Sequence, residues 1–238
     1  LCTMEDMWPK FAPFFEGAEF IPYFVKSVDE KDLLRDLANL PPFEAVVGLG
    51  GGMAVDTAKF FVWKKRVPLF QIQTALSMNA SWGQRCGIRF DGAVRYIGWA
   101  VPEAVYIDYD VLRAAPRHFN YSGIGDILCN HTGILDWKYA SQKGFCEAKW
   151  PYDDDMARAS MEKVEAVLTY RKDIRDLTDK GIEVLIDGLR WGTSYHGCGW
   201  NPRHIEGIDH FFFYSLEYLT GKKFLYGQPV CLGVVIGS

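Results

Sequence analysis

Apolar and polar positions follow two rhythms along this chain, and the change between them divides it. Residues 19–26 are aromatic and β-branched and predict a strand. The run Ser27-Val28-Asp29-Glu30 then predicts a capping box, with Ser27 as N-cap and Glu30 at the third helical position. A helix to about Leu40 follows, and Pro41-Pro42 ends it. Residues 44–48 predict a short buried strand, three consecutive glycines follow it, and a helix is predicted over 54–61. Residues 69–73 and 104–108 predict two more strands. Strands alternating with helices imply a parallel α/β sheet in the first hundred residues. From Gly123 onward helical periods take over. Ile127, Leu128, His131, Ile134 and Leu135 fall on one stripe, and further helices are predicted over 153–173, 176–191 and 205–220. Asp153-Asp154-Asp155 reads as a solvated helix start. The boundary is expected near residues 120–125, giving an α/β domain over 1–122 and a helical one over 123–238.

Composition narrows the function classes. Of 238 residues, 49% are apolar and 24% charged, which rules out bulk disorder. Twenty-six basic residues against thirty acidic ones give a charge of −4, which argues against nucleic acid as a partner. No run of 18 apolar residues predicts a membrane span, and the first residues lack the pattern of a secretion signal. The six cysteines form no C-x-x-C pair and no disulfide framework, and scattered thiols fit a reducing cytoplasm. Leu1 is not an initiator and the chain stops inside an apolar run, so both ends read as cuts through a longer protein.

The turn Gly48-Leu49-Gly50-Gly51-Gly52-Met53 joins a predicted strand to a predicted helix. Glycines there let a ligand approach the backbone, and the helix behind them aims its N–H groups and positive dipole end at the turn, which suits a pyrophosphate. The spacing is not G-x-G-x-x-G, and a tight turn without a ligand is the plainer alternative. Asp56 and Lys59, three apart on the helix, are placed to pair.

Gly50-Gly51-Gly52-Met53-Ala54-Val55-Asp56-Thr57-Ala58-Lys59 resembles the GGGS-x-x-D-x-AK signature of the iron-containing alcohol dehydrogenase superfamily. Other segments match in the same order. Gln73-Thr74-Ala75-Leu76-Ser77 resembles its PTxxS loop, with Gln73 in the place of proline. Residues 105–108 resemble its V-x-x-D strand. Gly123-Ile124-Gly125-Asp126 resembles the G-x-G-D that opens its helical domain. Arg203 and Gly207-Ile208-Asp209-His210 resemble R-P-x-S-G-x-E-H, and Tyr226-Gly227-Gln228 stands where H-G-E or H-G-Q is usual. The resemblance implies an N-terminal parallel nucleotide-binding sheet, a C-terminal all-helical domain and an active site in the cleft between them. It also implies NAD or NADP as cofactor, with Gly50, Gly51, Gly52, Met53, Asp56, Thr74 and Ser77 as its binding residues.

It further implies a divalent metal, zinc or iron, held by an aspartate and two histidines. Asp126 and His210 match two of these positions and are the expected catalytic pair, and Tyr226 stands in the third. A tyrosine ligates as phenolate, which its ordinary pKa near 10 disfavours. Glu206, four residues before His210, is expected on the same helical face, as a substitute ligand or an orienting partner. His204 is expected to point elsewhere, His131 to pack in the core, His196 to lie in a loop and His118 on the surface.

On the substrate side, Asn79 replaces an aspartate of the polyol-oxidising members. Arg85, Arg89 and Arg95 crowd residues 82–97, and Arg203 matches a family arginine. Converging arginines point to a phosphate or carboxylate, whereas a two-stranded ribbon with solvated faces is the plainer reading of the first three. Phe211-Phe212-Phe213 is expected to pack in the core. The implied function is NAD(P)-dependent, metal-assisted oxidation of a secondary alcohol on a small polyol or polyol phosphate. The expected partner is that small molecule, not nucleic acid or a membrane, and a homo-oligomer is left open. Two other readings stand beside it. One is an NAD-using sugar-phosphate cyclase of the dehydroquinate synthase type, which Asp56-Thr57-Ala58-Lys59 disfavours. The other is a chain that keeps the fold and has lost the metal.

Overall fold

The structure, a computed structural model, describes residues 1–17, 19–193 and 201–238. The chain forms two compact units, one of residues 1–75 and 80–114, the other of residues 76–79 and 115–238.

In chain order the first unit carries β1 (Cys2–Thr3), α1 (Trp8–Phe11), β2 (Tyr23–Phe24), α2 (Glu30–Asn39), β3 (Val46–Gly50), α3 (Gly52–Lys65), β4 (Leu69–Gln73), β5 (Cys86–Phe90), β6 (Ala93–Ile97), β7 (Ala104–Ile107) and α4 (Tyr109–Ala114). Five strands form one parallel sheet in the order β2-β1-β3-β4-β7, and β5-β6 is a separate antiparallel hairpin. Helix α3 is buried from Ala54 through Val62, on all sides rather than along one stripe, with the polar Asp56, Thr57 and Lys59 among the buried residues. Phe60, Phe61, Leu69 and Ile88 join Leu33 and Leu37 of α2 in one core.

The predicted capping box is not formed. Asp29, not Ser27, caps α2: its carboxylate accepts from the Lys31 N–H at 3.0 Å, while the Ser27 hydroxyl accepts from the Asp29 N–H. A charged acceptor outcompetes a hydroxyl next to the positive helix end. The strand expected over 19–26 contracts to Tyr23–Phe24, the residues in parallel register with Cys2 and Thr3, and the Val25 N–H closes it on the Thr3 carbonyl at 2.9 Å. The β3 strand runs two residues further than expected, through Gly50, in register with Leu69–Gln73 of β4.

The second unit is helical, with α5 (Arg117–Gln142), α6 (Asp154–Thr169), α7 (Arg171–Asp176), α8 (Asp179–Trp191), α9 (Ile208–Thr220) and α10 (Gly227–Gly237). Helix α5 starts at Arg117, several residues before the expected boundary, immediately after Pro116. The single helix expected over 153–173 is broken at Tyr170. Leu177 is left-handed, and Thr178 caps α8 through the Gly181 N–H. The expected stripe of α5 is only partly apolar core: Ile127 and Ile134 are buried, Leu128 and His131 are half-buried, and Leu135 is exposed. Among the described residues no helix is long and apolar enough to cross a membrane.

Candidate metal centre and dinucleotide turn

The glycine turn of the first unit is built by backbone geometry. Gly50 ends β3 at φ +152°, and a Cβ there would come within 2.8 Å of the Ala54 side chain. Gly51 is the N-cap of α3 at φ −90°, a conformation open to any residue. Gly52 opens the helix and Met53 is exposed on its first turn. The Thr74 N–H donates to the Gly50 carbonyl at 3.2 Å, which brings the end of β4 against the turn. Gln73, where proline was expected, uses its side-chain amide to donate to the Ala75 carbonyl at 3.0 Å and so fixes the same bend.

Asp56 and Lys59 pair at 2.7 Å, as their spacing predicts, and both are nearly buried. Lys59 also donates to the Arg85 carbonyl at 2.5 Å. Burial raises the Asp56 carboxyl, opposed by Lys59 and by the Gly87 N–H. Its carboxylate is therefore committed to anchoring α3 on the β5-β6 hairpin. The hairpin itself is the ribbon that the plainer reading gives. Arg85 donates to the Tyr96 carbonyl at 3.3 Å, Arg89 to the Gly92 carbonyl at 2.7 Å, and Arg95 lies over the Phe90 ring.

In the second unit the G-x-G-D motif has a structural meaning. A Cβ on Gly123 would lie 2.1 Å from the Leu76 carbonyl oxygen, and one on Gly125 would lie 2.0 Å from that of Gly227. A Cβ on Gly227 would in turn meet the Ser122 carbonyl oxygen at 1.8 Å. These glycines let the segment 76–79 and the start of α10 lie directly on α5. The Leu76 N–H then donates to Asn120, and the Asn79 N–H donates to the Asp126 carboxylate at 2.9 Å. Ser77, in the same segment, is buried.

Opposite Asp126 stands His210 on α9. Gly207 caps that helix, and Asp136 of α5 accepts from the Ile208 N–H at 2.6 Å. Glu206 therefore precedes the helix, in a turn closed by the Pro202 carbonyl, and shares no helical face with His210. The orienting partner is instead Asp209. Its buried carboxylate binds Nδ1 of His210 through one oxygen and accepts from the Thr132 hydroxyl through the other. Burial disfavours the charged imidazole, but the Asp209 bond, with the fields of Asp209, Glu206 and Asp126, outweighs it and raises the His210 pKa. Burial pushes the Asp126 carboxyl up to about 6; His210 and the Asn79 N–H oppose the rise, and Glu206 and Asp209 add to it. Glu206 is also raised by burial, against the pull of His210.

One further group joins them. Asp126, Cys129 and His210 are all buried, and one ligand atom from each lies within 4.8 Å of the others. Burial, with Asp209, Asp126 and Glu206 nearby, raises the free Cys129 thiol well above its ordinary value. Read only as a scattered thiol, Cys129 was legible through its spacing, three residues after Asp126 on a helix. Asp209 has no such signal beyond standing next to His210. The donor set fits a divalent metal: carboxylate, imidazole and thiol, all buried, with the imidazole oriented from behind.

The other expected residues sort out as follows. The Tyr226 ring lies edge-on to His210 at 5.6 Å between centroids and to Phe213 at 4.9 Å. Among the three phenylalanines only Phe213 is core; Phe211 is exposed, because consecutive helical residues cannot share a face. His204 is fully buried and shares Nδ1 with Ser160 and Asn130. His131 is half-buried and His118 exposed. His196 lies outside the described residues. The Arg203 Nε is buried and makes no hydrogen bond among the described residues.

Comparison with known proteins bears out the family resemblance. Residues 17–116 match the pattern of the family described as iron-containing alcohol dehydrogenase. The glycerol-1-phosphate dehydrogenase [NAD(P)+] of Sulfurisphaera tokodaii is 25% identical over 221 residues, which cover 93% of this chain and 62% of that protein. That of Aeropyrum pernix is 31% identical over 195 residues, covering 81% and 54%. The fold resembles the crystal structure of a probable glycerol dehydrogenase from Sinorhizobium meliloti, with a TM-score of 0.75 at 16% identity over 97% of this chain and 66% of that one. It also resembles glycerol dehydrogenase from Schizosaccharomyces pombe, with a TM-score of 0.74 at 17% identity over 98% and 62%. The chain thus spans less than two thirds of the length of the first of these relatives.

Proposed function

We propose that this relative of the iron-containing alcohol dehydrogenases is an NAD(P)-dependent, metal-assisted oxidoreductase acting on a secondary alcohol of a small polyol phosphate. The observation that carries the reading is the buried Asp126–His210 pair, held by the Asn79 N–H on one side and by Asp209 on the other. The names of the similar glycerol-1-phosphate dehydrogenases support the substrate class. When bound, a divalent metal polarises the alcohol oxygen and lowers its pKa, while the nicotinamide accepts the hydride.

The chain's own residues have the following parts. Gly50, Gly51, Gly52 and Met53 cradle the pyrophosphate at the start of α3, and Thr74 and Ser77 contact the cofactor further along. Asp56 acts indirectly, by fixing α3. Asp126 and His210 hold the metal, with Tyr226 walling the imidazole. Asn79 fixes Asp126 through its main chain, and its side-chain amide is assigned to a substrate hydroxyl. Arg203 is assigned to the phosphate, since a buried guanidinium nitrogen calls for an anion. Arg85, engaged by the hairpin's own carbonyl, is left out of this assignment. Free thiols at Cys2, Cys86, Cys129, Cys146 and Cys231 fit a reducing, cytoplasmic setting.

The test compares free and phosphorylated polyols with either nicotinamide. Arg203→Ala is expected to raise KM for the phosphorylated substrate at least tenfold and leave dinucleotide affinity unchanged, as a lost charge-assisted contact predicts. Equal turnover of both substrate kinds would remove the phosphate assignment. A chain that binds dinucleotide but no metal would remove the dehydrogenase reading.

A further inference from the structure

An aspartate and one histidine leave a catalytic metal one protein ligand short of the usual three. Tyr226 stands where the resemblance expects the third. A phenol deprotonates poorly near neutrality, and the Tyr226 ring meets His210 edge-on, as a packing neighbour does. Cys129 stands elsewhere in the motif but in the right place in space. It lies one helical turn after Asp126 on α5, fully buried, with its sulfur within reach of both other donors.

We propose that Cys129 is the third protein ligand, making an Asp126–Cys129–His210 site that prefers zinc. The proposal rests on the metal-assisted reading above and specifies its donors. A tetrahedral zinc with bonds of about 2.0–2.3 Å holds its donors roughly 3.3–3.8 Å apart. The three ligand atoms, already within 4.8 Å of one another, need only side-chain adjustments on the order of 1 Å to close on an ion. The Asp209 bond to Nδ1 leaves Nε2 of His210 as the donor nitrogen, the usual arrangement behind a metal-bound imidazole.

Charge supports the same set. One carboxylate and one thiolate match the two charges of the ion, and the buried Asp209 carboxylate beside His210 adds negative charge that further favours a bound cation. As the zinc–sulfur bond forms, the S–H bond breaks and its proton passes to the buffer, with no change of oxidation state. The sulfur then gives up its present contact with the Asp126 carbonyl at 3.2 Å. A thiolate also tilts the choice of metal from iron or magnesium toward zinc.

The test titrates the 238-residue chain, freed of metal by a chelator, with cobalt(II) and then with zinc. Wild type is expected to give visible ligand-field bands of tetrahedral cobalt together with a thiolate-to-cobalt charge-transfer band in the near ultraviolet. Cys129→Ser, checked for fold by circular dichroism, is expected to lose the charge-transfer band and to bind zinc at least tenfold more weakly. Tyr226→Phe is expected to change neither. The wild-type spectrum alone is decisive if the serine variant does not fold. Ligand-field bands without charge transfer would overturn the cysteine ligand and leave the metal reading standing. Persistence of the charge-transfer band in folded Cys129→Ser, or unchanged zinc affinity there, would overturn it as well. A chain that binds neither metal would overturn both.

Discussion

Asp126 carries a cost in the metal-free chain, because its carboxylate is buried and its pKa rises to about 6. The unfolded value is about 3.9, so between these two pH values the folded state binds more protons than the unfolded one. Its contribution to stability is therefore fully present below pH 4 and lost as the pH rises through 6. Removing the charge reverses this. In the presence of chelator, Asp126→Asn is expected to stabilise the fold at pH 7.5 by up to about 3 kcal/mol, an advantage that vanishes near pH 4. Thermal denaturation across that range measures it. Added zinc is expected to invert the order, since Asp126→Asn removes one of the proposed ligands and with it the binding energy that would add to folding.

Packing between elements rests on residues that lack side chains. The start of α5 touches the segment 76–79 and the start of α10 through Gly123, Gly125 and Gly227. Gly125→Ala would gain up to about 1 kcal/mol of helix propensity. It would also drive a methyl group into the Gly227 carbonyl, 2.0 Å away, and overpacking of that kind costs about 1–3 kcal/mol or more. The net is expected to be destabilising, with weaker zinc binding as α9 and α10 shift, both readable in one denaturation series with and without metal. The order of Gly123, Gly125 and Asp126 was legible in the sequence as a motif, and so was the strand–glycine–helix turn. The close approaches that require those glycines were not, because periodicity reports which face is apolar and not how near two backbones come. Glu206 shows the same limit. Its spacing to His210 is right for a shared helical face, but Gly207 starts the helix one residue too late for it. Cys129 failed differently: cysteines were weighed in pairs, whereas its partners are an aspartate on the same helix and a histidine on another.

Across the whole molecule, the glycine turn proposed for the dinucleotide belongs to one compact unit and the proposed metal donors to the other. Their binding functions should therefore separate. Gly51 has a backbone conformation that any residue can adopt, so Gly51→Val is expected to preserve the fold at the cost of about 1 kcal/mol in capping. Its branched side chain would block the pyrophosphate. Fluorescence titration should show nicotinamide affinity lost, while cobalt binding stays as in wild type; loss of both would mean that the units do not act separately. The glycines of the second unit carry one more consequence. Gly123, Gly125 and Gly133 sit inside α5, and each weakens an isolated helix by about 1 kcal/mol. The stretch of α5 through Gly133 has little helical persistence of its own and borrows its order from what docks on it. Undocking α10 and fraying α5 are then a single opening event. The amide protons of residues 122–133 and of 230–234 should exchange with solvent deuterium as one cooperative group, on one clock.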